Sequence, residues 1–262
     1  MKRILILGLI LSLFLSGCWT VPPPIPPEPN GVSYRAFFVG VGKYENGWTL
    51  PSPAKNTEKL EDLFVYCKFG EEETKFEIIK KLTNYDTTKE NILNGILETF
   101  DDADDNDVSY FYYMGHGGVY DGTPIITPTD YPTRITVDEL EAALSTIPGT
   151  KVVLLETCHA GNFIDKGKNT IFEAFAENSL DLINKEGYQV LASSKGSEAT
   201  WDYYMGSYFC RYLIKGCEYL LADANEDGIV DLSELYQYIK SHVSIQTVQI
   251  YPEGSTFPIY EE

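Results

Sequence analysis

The chain has 262 residues, with 39 acidic against 20 basic side chains and a net charge of −19, which becomes −21 once Lys2 and Arg3 are removed with a leader. A surface of this sign excludes nucleic-acid binding, which needs a basic patch, and suits cations and cationic substrates. Five cysteines do not make a dense disulfide framework. Cys210 and Cys217 lie seven residues apart on an expected helix, about 10 Å along its axis, too far for a disulfide.

The first residues, Met1-Lys2-Arg3, precede an apolar run over residues 4–15. That run is shorter than the roughly 20 residues a spanning helix needs and fits the apolar region of a secretory signal. It ends in Leu15-Ser16-Gly17-Cys18, with small residues just before a cysteine, as lipoprotein processing requires. Residues 1–17 are therefore expected to be a signal peptide, with Cys18 lipidated and anchoring the protein to the membrane of the cell envelope. The stretch VPPPIPPEP in residues 18–32 favours an extended polyproline stalk. Residues 33–250 are expected to form one domain and residues 251–262 a C-terminal tail.

Within the domain, residues 34–42 read as a buried strand and residues 54–67 as a helix, from Leu60, Leu63, Phe64 and Cys67 at helical spacing. A strand at 75–82, a helix at 87–100, a strand at 108–114 and a helix within 135–147 follow. Strands at 152–155 and 188–192 and helices at 208–214 and 232–243 complete the pattern. Alternating helices and continuously apolar strands predict an α/β domain whose mostly parallel sheet is covered on both faces. The polar residues 163–179 read as a linker between two halves.

Ligands in such folds bind beyond the carboxyl ends of the strands. Two strands run there into reactive residues: one into Gly115-His116-Gly117-Gly118, the other into Glu156-Thr157-Cys158-His159-Ala160-Gly161. A thiol becomes a strong nucleophile only when a base or cation deprotonates it, and His116 supplies that partner. His159 adjoins Cys158, so their side chains diverge, and it reads as structural. His242 reads as a surface or core histidine, and Cys67 and Cys210 as packing thiols.

YFYYMGHGG and VVLLETCHAGNF resemble the two catalytic segments of the caspase and metacaspase superfamily of cysteine peptidases. FVGVGKY with LPSPAKNTEKLEDLF, ITPTDY, and LASSKGSEATW with GSYFCRYLIKG are similar to further segments of that family. The resemblance covers residues 34–238. It implies a three-layer α/β/α caspase-like fold with a mostly parallel six-stranded sheet, and a cysteine endopeptidase acting on protein or peptide substrates. It also implies His116 as general acid–base, Cys158 as nucleophile and the amides of Gly117 and Cys158 as the oxyanion hole. No third catalytic acid and no organic cofactor are implied. Glu156 stands where metacaspase-like members carry an Asp that selects Arg or Lys, which points to cleavage after a basic residue. The alternative is a capped or ion-paired carboxylate. Self-processing would fall at Lys166 or Lys168. The alternative for the whole chain is a catalytically silent caspase-like lipoprotein, a calcium-binding scaffold or interaction module.

Residues 223–234 fit the calcium-loop template. Asp223, Asn225, Asp227, Asp231 and Glu234 supply side-chain oxygens, Ile229 offers its carbonyl, and Gly228 makes the turn. Ca²⁺ is the expected ligand. The alternative is an acidic turn in which Asp231 caps a helix and Glu234 closes a capping box.

Overall fold

The computed structural model of the protein describes residues 31–163, 187–198 and 207–262. The signal and Cys18 readings, the stalk before residue 31, the linker beyond Phe163 and both candidate processing sites, Lys166 and Lys168, fall outside those residues. Among the described residues, no helix is long and apolar enough to cross a membrane.

Eleven strands and five α-helices are described. In chain order they are β1 (Tyr34–Gly40), α1 (Pro53–Val65), β2 (Phe76–Thr83), α2 (Lys89–Thr99), β3 (Val108–Met114), β4 (Gly117–Tyr120), β5 (Thr123–Ile126), β6 (Ile135–Thr136), α3 (Val137–Leu144), β7 (Thr150–Glu156), β8 (Tyr188–Ala192), α4 (Tyr208–Glu218), β9 (Ile229–Asp231), α5 (Leu232–His242), β10 (Gln249–Tyr251) and β11 (Pro258–Glu261). Six strands form one sheet in the order β10-β8-β7-β3-β1-β2. Its pairings are parallel except β10 against β8. This is the expected three-layer α/β/α architecture.

The two faces follow the period-two alternation of the central strands. Ala36, Phe38, Tyr110, Tyr112, Met114, Val152 and Leu154 share one core with residues of α1, α4 and α5. Phe37, Val39, Phe111, Tyr113, Val153 and Leu155 share the other with residues of α2 and α3. Every residue of β3 is buried, and all but Ser109 are apolar or aromatic, as a strand covered on both faces favours. The sheet edge departs from that pattern. β2 is half-polar, with Ile78 exposed and Lys80 and Lys81 paired to Glu98 and Glu61. An edge strand faces water along one side, and lysines there discourage further pairing.

The helix starts are written in the sequence. Pro53 opens α1, where its missing N–H costs nothing. Thr88 and Ser207 cap α2 and α4 by accepting the amides of Asn91 and Cys210. Thr136 with Glu139, and Asp231 with Glu234, form reciprocal capping boxes on α3 and α5.

One boundary is corrected. Residues 251–262 are not a free tail, because β11 pairs antiparallel with β9 and buries Ile259 and Tyr260. The Tyr110 hydroxyl lies 3.2 Å from the Ile259 carbonyl, and the Lys68 amide donates to the Glu261 carbonyl at 2.9 Å. The strand completes the core over α1, so the domain runs nearly to the last residue. Replacing Ile259 with Ala is expected to cost about 2–4 kcal/mol through lost burial and the cavity left behind. Chemical denaturation reads this directly, and an unchanged midpoint would restore the tail reading.

Candidate active site

β3 and β7 are parallel neighbours, with Met114 opposite Glu156. His116 and Cys158 each stand two residues beyond that last pair, so they occupy equivalent positions past the ends of adjacent strands. The Gly115 amide donates to the Glu156 carbonyl at 3.3 Å and extends the ladder into the turns. Both His116 and Cys158 are half-buried. Cys158 also lies close enough to Tyr44 and Tyr113 to act electrostatically on both hydroxyls.

Gly117 is needed for this approach. A Cβ there would overlap the Thr157 hydroxyl and come within 2.8 Å of the Ile125 carbonyl and 3.3 Å of the Cys158 carbonyl. The histidine turn and the cysteine turn are thus packed backbone to backbone. Gly115 makes room for two side chains instead: a Cβ there would fall 2.6 Å from the Tyr113 hydroxyl and 3.0 Å from that of Tyr44.

Two tyrosines that the sequence reading did not single out hold the histidine turn. The His116 amide donates to the Tyr44 hydroxyl at 2.7 Å. The buried Tyr113 hydroxyl lies 2.8 Å from the His116 carbonyl and 2.9 Å from the Thr127 carbonyl, and accepts the Thr127 amide at 3.2 Å. Tyr44 also lays its ring against the imidazole at 4.9 Å between centroids, and Trp48 approaches it edge-on at 5.5 Å. This aromatic surround desolvates the imidazole and lowers the His116 pKa below 6.5. The relevant sequence signal was FVGVGKYENGW, where aromatics follow the first strand, but their partner lies about seventy residues away.

The other candidate residues have distinct surroundings. His159 adopts φ +60°, gives its amide to the Glu198 carbonyl at 2.7 Å and sets Nδ1 2.7 Å from the Gly196 carbonyl. It fastens the cysteine turn to the segment after β8, the structural role expected. Glu156 is 1% exposed and accepts the Tyr112 hydroxyl at 2.7 Å, on the sheet face that carries α1 and α4. Cys67, Cys210 and Cys217 are fully buried. Burial pushes the Cys67 thiol up to about 12 and the other two well above their ordinary range. His242 is exposed and stacks on Tyr212.

At residues 223–234 the loop is held by its own oxygens. Asp223 accepts the amides of Asp227 and Gly228 at 3.2 and 2.9 Å, Asn225 accepts that of Asp227 at 2.9 Å, and Asp227 accepts that of Ile229 at 2.9 Å. Glu234 accepts the amides of Ala224, Asn225 and Asp231. The capping box is therefore formed. Among the described residues, no group of three or more His, Cys, Asp or Glu is arranged to hold a metal ion. The donors are all hard oxygens, the chemistry that Ca²⁺ takes, and Glu234 would have to exchange amides for the ion.

The Peptidase_C14 caspase-domain family model matches residues 33–260. The chain belongs to this family of cysteine peptidases. It is 26% identical over 151 residues to Metacaspase-1 of Lodderomyces elongisporus and 24% identical to Metacaspase-1 of Candida albicans. Each alignment takes in 50% of this chain but only 34% of the relative, so the match spans about a third of those proteins' length. Among solved structures, protein GSU0716 of Geobacter sulfurreducens superposes with TM-score 0.65 at 15% identity, covering 87% of this chain and 99% of that one. Caspase-1 of Spodoptera frugiperda does so with TM-score 0.60 at 13% identity, covering 87% and 88%. Both likenesses establish the fold.

The desolvated imidazole gives a pH prediction. The unfolded chain keeps the ordinary histidine value near 6.5, so below that value it binds more protons than the folded protein. Stability should therefore fall as pH drops from 6.5 through the folded pKa of His116. An NMR titration should place the His116 midpoint below 6.5. A midpoint above it would contradict the desolvating cage.

Proposed function

We propose that the protein is a cysteine endopeptidase in which Cys158 attacks the scissile carbonyl and His116 protonates the leaving amine. The observation that carries this reading is the register of β3 with β7, which puts the two residues at matched positions, with Gly117 packed against Thr157 and the Cys158 carbonyl. The half-buried thiol beside a predominantly neutral imidazole is suited to proton transfer from sulfur to nitrogen at neutral pH. The amides of Gly117 and Cys158 would receive the oxyanion. No third side chain is required, because the Tyr44 and Tyr113 hydroxyls already fix the histidine turn.

Cleavage after Arg or Lys belongs to the same proposal. Its support is a buried carboxylate, Glu156, two residues before the nucleophile, together with the net charge of −19. A basic side chain reaching Glu156 would be recognised as a charge-assisted partner. Calcium held by Asp223, Asn225, Asp227, Ile229, Asp231 and Glu234 would reinforce the loop that carries β9, and through β9 the C-terminal strand. Lipid on Cys18 and the proline-rich stalk would hold the peptidase at the envelope surface.

A panel of fluorogenic peptides tests this reading. With Ca²⁺ present, peptides ending in Arg or Lys should be cleaved and their Asp counterparts should not, and Cys158→Ala should abolish turnover. Glu156→Gln should lower kcat/KM for the basic peptides by about tenfold or more, on the order of 1.4 kcal/mol of lost recognition. Ca²⁺ should also raise the melting temperature, since a ligand bound only by the folded state stabilises it. A preference for Asp, or full activity in Cys158→Ala, would overturn the assignment.

A further inference from the structure

Across the sheet, the loops at the strand ends follow the order of the strands. The segment after β8 comes first, then Cys158 after β7, His116 after β3, and residues 43–49 after β1. The last of these carries Trp48. Its indole meets the His116 ring at 5.5 Å with planes 76° apart, and the Tyr131 ring at 5.0 Å. The loop is tightly held. Lys43 bridges Thr49, the Tyr44 amide donates to the Trp48 carbonyl at 3.1 Å, the Glu45 amide to the Thr129 carbonyl at 2.9 Å, and the Trp48 amide to Asn46 Oδ1 at 3.0 Å. Despite that anchoring, Trp48 is 48% exposed. The anchored loop thus presents a half-exposed aromatic face directly beside the His116 ring, a fixed apolar surface that a ligand can cover.

Chemistry gives the side of the substrate it would meet, on the reading that His116 and Cys158 cleave peptides. The acyl half of the substrate becomes bonded to sulfur, and the proton carried by the imidazole passes to the departing amine. The amine half must therefore lie toward His116 and away from the β8 side. Trp48 lies against the imidazole and comes from the strand on the far side of it from Cys158.

We propose that Trp48, backed by Tyr131, is a specificity-determining wall for the residue immediately after the scissile bond, favouring an aromatic or large aliphatic side chain there. Such a residue would lay its apolar surface on the indole face and exclude water from His116 as the proton moves. Glycine at that position would leave the indole wet and the imidazole accessible.

The test uses the full-length protein and peptides with Arg before the bond and Phe, Leu, Ala or Gly after it. Cleavage is followed by mass spectrometry, and binding to the Cys158→Ala protein by calorimetry. The wild type should favour Phe and Leu over Gly by about tenfold in kcat/KM. Trp48→Ala should reduce that ratio to about twofold or less, and Trp48→Phe should keep most of it. Dissociation constants for the Cys158→Ala protein should rank in the same order, and the ranking should vanish on adding Trp48→Ala. A Trp48→Ala enzyme that keeps the ratio would overturn the proposal. So would one that slows equally on all four peptides, or one that alters only the choice of residue before the bond. A wild type that cleaves without ranking the peptides overturns the wall and leaves the peptidase standing. Ranked binding through Trp48 without any turnover does the reverse.

Discussion

The site depends on one constraint, the parallel register that sets Met114 opposite Glu156. Each catalytic candidate lies two residues beyond a strand whose own position is fixed by burial on both faces. A slip of one residue in either strand would turn its apolar set toward the wrong core and separate His116 from Cys158. The packing that fixes the register of the sheet therefore also fixes where the two turns begin. Gly117 translates that register into contact, since a side chain there would run into the cysteine turn, and Gly115 leaves room for the Tyr44 and Tyr113 hydroxyls that hold the histidine turn.

Around this pair, the protein divides its polar groups by depth. Three thiols are buried in one core and held protonated by the cost of charging them there, while Cys158 alone among the described cysteines is half-buried at a strand end. The tyrosines of β3 alternate in role for the same reason. Tyr110 and Tyr112 point into the α1, α4 and α5 face and bond to β11 and Glu156, whereas Tyr113 points the other way and ties down the histidine turn. One all-buried strand thus supplies core packing, a partner for the buried Glu156 carboxylate and the brace for the His116 turn.

Much of this was legible in the sequence. The bounds of β3 and β8 agree with the apolar runs read there, because both strands have a neighbour on each side and carry mostly apolar residues, broken only by Ser109 and Gln189. His116 and Cys158 stood out because glycines follow apolar strands at both places. Other features were harder to read. β2 is half-polar because it is an edge. The small sheet of β4, β5 and β6 was missed, although Asp121-Gly122, with φ of 50° and 80°, is the dipeptide that closes a tight hairpin. β11 was taken for a tail because its partner, β9, is short and distant in sequence. Tyr44 and Trp48 could not be recognised as part of the site, since nothing local to residues 44–48 indicates a contact with residue 116.

The most direct measurement is site-resolved labelling with an arginine-bearing peptide electrophile, mapped by mass spectrometry on the intact chain. Modification is expected at Cys158 in preference to Cys67, Cys210 and Cys217, and replacement of His116 by Ala should suppress it by about two orders of magnitude, the usual contribution of a positioned acid–base partner. Labelling spread evenly over the cysteines, or undiminished without His116, would contradict a Cys158–His116 pair built on the β3–β7 register.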